Sequence, residues 1–127
     1  MPISGYQAMG LLRGAVGVSL LAAPGMPMRL ARRTEPTAAE VLLMRTIGIR
    51  DLVLGVGTVA AARSGDESDI RRWLAAGLAS DSLDAAASVA GMRAIGKRDS
   101  FGAAILALAF VCGDLYARRG IPRHVDA

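Results

Sequence analysis

Gly77-Leu78-Ala79-Ser80-Asp81-Ser82-Leu83-Asp84-Ala85-Ala86-Ala87-Ser88-Val89-Ala90-Gly91 is the stretch that decides the fold. Gly77, Asp81, Asp84, Ser88 and Gly91 recur at spacings of 4, 3, 4 and 3. That is the repeat of one face of a helix. The face is small and polar, and much of what surrounds it is Ala, Leu and Val. A helix that packs in water turns its apolar stripe inward and its charges outward. This one reads the other way, with small residues and two acids on the side suited to close helix contact.

Moving outward, the pattern repeats. Upstream, Tyr6, Gly10, Arg13, Gly17 and Leu20 keep the same spacings, and Gly48, Asp51 and Gly55 do so between them. Stripes of Gly let neighbouring backbones approach closely, and each stripe carries a charge to the seam. We expect Gly10, Gly17, Gly48, Gly55, Gly77 and Gly91 to be helix-packing positions.

Turn signals divide the chain into four helices. The first is expected over about 6–23, stopped by Pro24-Gly25. The second covers about 38–63 and opens on Thr37, with Glu40 at capping-box spacing. The third covers about 70–94, capped by Ser68 or Asp69, and the fourth about 100–119, ended by Gly120 and Pro122. The tail 120–127 is expected to be loose. The basic stretch 28–33 reads as a short interfacial connection. No segment alternates with period two. The fold class is therefore all-α: an antiparallel four-helix bundle, in one domain of 127 residues.

Composition turns this bundle toward a bilayer. The hydrophobic fraction is 53%, charged residues are 20%, and mean hydropathy is +0.40. The helices approach the ~20 residues that cross a membrane. Against this, no run of ~18 residues is free of charge. The longest clean stretches are Gly14 to Met28, Leu52 to Ala62 and Ser100 to Gly113. A membrane bundle still fits better than a water-soluble one, which would show Lys and Glu along an outer stripe. The first apolar segment reads as a retained helix rather than a cleaved leader, because Pro24 falls where cleavage would. The implied location is the cell membrane, multi-pass.

A membrane bundle must account for its charges. Arg13, Arg50, Asp51, Asp81 and Asp84 fall near the middle of their helices, with Arg45 and Asp114 off-centre. Each costs roughly 2.5–3.5 kcal/mol at a helix centre if left alone. They are expected to face inward and pair, giving three cations against four acids. These seven residues form the candidate ligand-binding or charge network, with a structural network the plainest reading.

Other chemistries fit poorly. A net charge of +4 without a basic face interleaved with aromatics argues against nucleic acid. The Asp81-Ser82-Leu83-Asp84 pair lacks the second acidic pair that membrane enzymes transferring phospho-alcohol groups use to hold divalent metal. No catalytic residue, metal site or cofactor is expected. Cys112 reads as a small buried apolar side chain, and Trp73 and Tyr116 as aromatics near the two membrane surfaces. His124 stands alone in the tail.

The segment Arg45-Thr46-Ile47-Gly48-Ile49-Arg50-Asp51-Leu52-Val53-Leu54-Gly55, with Arg13 upstream and the Asp-rich third helix downstream, resembles a family of small four-helix membrane proteins from actinobacteria, other bacteria and fungi. Its core is R-x-x-G-x-R-D-x-x-x-G. The resemblance implies a membrane bundle and carries no activity with it. It singles out Gly48, Arg50, Asp51 and Gly55.

The functional expectation is a non-enzymatic membrane protein, an accessory subunit or a module binding lipid or a small polar ligand. Its expected partners are the lipid bilayer and a second copy of itself. One alternative is a small dimeric proton-coupled transporter. Six basic residues flank each end of the helices, which permits dual topology, but the first helix carries Arg13 where such exporters carry Glu. A second alternative is a soluble four-helix interaction protein.

Overall fold

The computed structural model describes residues 3–32 and 35–121, and among these it contains helices and no strands. Six helices follow in order: α1 (Gly5–Ala22), α2 (Met26–Arg32), α3 (Ala38–Ser64), α4 (Glu67–Ala90), α5 (Met92–Ile95) and α6 (Lys97–Arg119). At 1.5 Å per residue the four long ones measure about 27 to 40 Å.

Local chemistry sets the boundaries. The Ser4 hydroxyl accepts from the Gln7 amide at 3.3 Å, and the Gln7 side chain accepts from the Ser4 amide at 3.0 Å. Thr37 and Glu40 close the same reciprocal box on α3. Gly65 ends α3 in the left-handed region, φ +75°, with its amide on the Ala61 carbonyl. Asp66 then accepts from the amides of Ser68 (2.8 Å) and Asp69 (3.3 Å). The cap is therefore Asp66, and α4 begins at Glu67, not near residue 70.

Three further differences from the sequence reading have physical causes. Residues 26–32 form a helix because Pro27 sits in its first turn, where a missing amide costs nothing. The third helix breaks at Gly91, whose amide bonds to the Ala87 carbonyl, and α5 follows as a separate turn. At the chain's end Ile121 is buried in an apolar cluster with Met9, Ala61, Ile70, Leu74 and Ala117. Order therefore continues past Gly120; residues 122–127, including His124, lie outside the described residues.

The long helices form a ring. α1 packs most closely on α3, and α4 on α6; α3–α4 and α1–α6 contacts close it. The α1–α3 seam is made by glycine. A Cβ on Gly17 would stand 2.5 Å from the Leu52 amide nitrogen, and one on Gly55 would stand 2.5 Å from that of Gly14. Gly10 and Gly48 are nearly as tight. At Gly17 and Gly55 only hydrogen fits against the facing backbone. Gly57 likewise makes room for the Trp73 ring, which is half-buried over it.

Beside the apolar cluster around Ile121, charged side chains enter the core and many large apolar ones lie outside it. Arg13, Asp51, Thr58, Asp81 and Asp114 are buried, while Leu42, Val53, Leu83, Leu106 and many other large apolar residues are more than half exposed. Several of the buried hydrophobic positions are Ala. Among the described residues no helix is long and apolar enough to cross a membrane.

Candidate functional site, a buried ionic cluster

The inner part of the cluster takes one charge from each long helix, and its organiser is Arg13. Arg13 lies on α1 between Gly10 and Gly17, so the face that touches α3 also points its side chain into the bundle. The guanidinium reaches three other helices. Nη1 donates toward Asp51 of α3 at 3.4 Å, and Nη2 donates to Asp114 of α6 at 2.6 Å and to Asp81 of α4. Its centre lies 4.9 Å from the Phe110 ring, a cation–π contact. Arg13 is 2% exposed and Asp114 is 0%. A planar fork with five donors reaches several carboxylates in fixed directions, whereas a lysine offers three donors at a single point.

Arg50 forms the outer half. It donates to Asp84 and lies 3.3 Å from Asp51 and 3.8 Å from Asp81. Its side chain is half-buried and that of Asp84 more exposed still. The cluster thus has a sealed inner part and one edge open to the outside. Burial falls the same way along the third helix's stripe, from Gly77 and Asp81 to Asp84, Ser88 and Gly91.

Gly77 gives the cluster its room. A Cβ there would stand 2.8 Å from Asp114 Oδ2 and 2.9 Å from Arg13 Nη2. On α6, Phe110, Asp114 and Ala117 follow the same 4–3 spacing toward the interior.

Of the seven charged residues expected to meet, six do. Asp114 sits off-centre in α6, past its midpoint, yet it is the most deeply buried acid, because α6 is offset so that this turn lies level with Arg13. Arg45 is exposed. It precedes Asp51 by six residues, about 240° around the helix at 3.6 residues per turn, so it faces away. Two guanidiniums (Arg13, Arg50) then face four carboxyls (Asp51, Asp81, Asp84, Asp114), an excess of two acids. Among the described residues two buried atoms, Arg50 Nε and Asp114 Oδ1, have no hydrogen-bond partner.

Five of the six expected packing glycines meet a neighbouring helix or the cluster, whereas Gly91 closes α4. Cys112 is exposed, since it stands two residues before Asp114 and so points about 200° away. The sequence reading missed Phe110 and Thr58. The signal for Phe110 was its place one turn before Asp114; Thr58 continues the Asp51–Gly55 stripe, with its hydroxyl turned back onto the Leu54 carbonyl at 2.8 Å.

Chemically the arrangement is closed. Among the described residues no three His, Cys, Asp or Glu side chains are grouped to hold a metal ion, and no nucleophile stands beside a base within the cluster. A scan against protein-family models, a search of curated proteins and a search of solved structures each found no match.

Proposed function

We propose that the chain is a multi-pass integral membrane protein without catalytic chemistry. In this reading the ionic cluster locks four helices in one register, and the bundle serves as an accessory subunit or as a module for lipid or a small polar ligand. One observation carries it: Arg13, Asp51, Asp81 and Asp114 are buried together, while many large apolar side chains stand on the outside. In water, apolar surface on this scale would demand a cover. In a bilayer it meets hydrocarbon, and intramembrane charges face the bundle interior and pair.

Two features support the same reading. Helix contacts rest on Gly and Ala, the small residues that let helices associate where burial of large apolar groups brings no gain. The resemblance of the segment 45–55 to small four-helix membrane proteins agrees. Among the described residues no single helix is long and apolar enough to cross a membrane, so the reading rests on the assembled bundle and not on any one segment.

The test is extraction. Membranes from cells expressing the chain, washed in alkaline carbonate, retain it in the pellet and release it only with detergent. Recovery in the carbonate supernatant overturns the proposal.

A further inference from the structure

On the outer side of the α1–α3 seam runs a groove of ≈ 650 Å³. It exists because the seam is glycine. Backbones that touch at Gly55 and Gly14 leave a furrow on the outside wherever no side chain fills it. Gly14 is that place: a Cβ built there meets nothing within 4 Å. The walls are apolar, with Leu11 and Val18 on one side and Val56 and Val59 on the other. Arg63, in the last turn of α3, stands at one end and is exposed. Among the described residues no carboxylate pairs with it. From Leu52 to Arg63 the groove spans about 16 Å of helix.

We infer that this groove seats one acyl chain of an anionic phospholipid, with the phosphate on Arg63. The inference rests on the membrane reading above and names the ligand. An open apolar furrow takes a flexible hydrocarbon chain, and a guanidinium at the end of a helix meets a phosphate with charge-assisted hydrogen bonds. A second copy of the chain fits less well. Two copies meeting symmetrically would bury the same patch on both sides, and the groove lining holds Arg63 with no acid to neutralise it.

The test compares phosphatidylglycerol with phosphatidylcholine of identical chains, by native mass spectrometry of the protein in mild detergent. The wild-type chain retains one phosphatidylglycerol, with roughly tenfold preference over phosphatidylcholine, the factor a charged hydrogen bond supplies. Arg63→Gln removes the preference and keeps weak binding of both. Gly14→Leu, which fills the furrow from a position with open space, removes retention of both while helix content stays unchanged. Equal retention of the two lipids by the wild-type chain, or no effect of either substitution, overturns the inference. So does a dimer that Gly14→Leu dissociates, which would give the groove to a second copy. Failure of the membrane reading is seen separately, in the carbonate wash. A chain that stays in the pellet but shows no lipid preference retains the span and loses the groove, and the converse result does the reverse.

Discussion

Arg13 of α1 and Asp114 of α6 are joined at 2.6 Å across 101 residues of sequence, and solvent reaches neither. The contact spans the bundle, and Asp51 and Asp81 converge on the same guanidinium. One side chain thus ties the four long helices together. Its removal should affect the whole molecule.

Arg13→Met leaves three buried carboxyls without their shared partner. Breaking a buried ionic network from one side costs about 3–5 kcal/mol. We expect a loss of this size in chemical denaturation followed by Trp73 fluorescence. Arg13→Lys keeps the charge and loses the fork, and should fall between the two. A loss under about 1 kcal/mol for Arg13→Met, the scale of exposed pairs, would remove Arg13 from its organising role.

The seam glycines predict effects of opposite sign on neighbouring turns. Gly55→Ala sets a Cβ against the backbone of Gly14, which cannot yield without moving a helix. Overpacking of this kind costs about 1–3 kcal/mol. Gly14→Ala meets open space and should stabilise by up to about 1 kcal/mol, the helix-propensity difference. Equal effects in denaturation experiments would mean that the two helices are not in backbone contact here.

Arg45 and Arg50 separate decoration from structure. Arg45→Ala should change stability by no more than about 0.5 kcal/mol, as exposed sites do. Arg50→Ala removes the partner of Asp84 and one partner of Asp51 and should cost about 1–3 kcal/mol. Equal losses would show that the outer half of the cluster is not assembled.

Asp66 gives a pH dependence of known sign. The Ser68 side chain, followed by the amides of Asp69 and Ser68, holds its carboxyl below the usual range. A carboxyl lowered on folding contributes stability that is present above its unfolded pKa and is lost as pH falls through the folded value. Stability should therefore decline at the acid end of the carboxylate range. Asp66→Asn, which still caps the helix, should flatten that part of the profile. An unchanged profile would remove Asp66 as its source.

The stripes explain how much of this was legible in the sequence. Spacing put Gly10, Arg13 and Gly17 on one face, and Gly48, Asp51 and Gly55 on another, because helical period depends on local chain geometry alone. Depth was less legible. The offset of α6 against α1 decides that Asp114 is level with Arg13, and the fit of Gly77 around both side chains helps hold it there; neither shows in one segment read alone. Arg45 was misplaced because depth along a helix was weighed without the angle around it. The stretch 28–33 reads as a connection in sequence, whereas Pro27 sits in the first turn of a helix over Met26–Arg32. Ile121 lay past a glycine and before a proline, where pattern predicts an ending and tertiary packing supplies a cover instead.

The most direct test of the membrane account reads what surrounds the bundle's outer faces. Single nitroxide labels at Val53, Leu83 and Leu106, in protein reconstituted in lipid vesicles, are challenged with oxygen, which concentrates in hydrocarbon, and with a water-soluble nickel chelate. The account predicts high oxygen and low nickel accessibility at all three positions. Strong relaxation by nickel at those positions would contradict it, because water would then bathe the faces assigned to lipid.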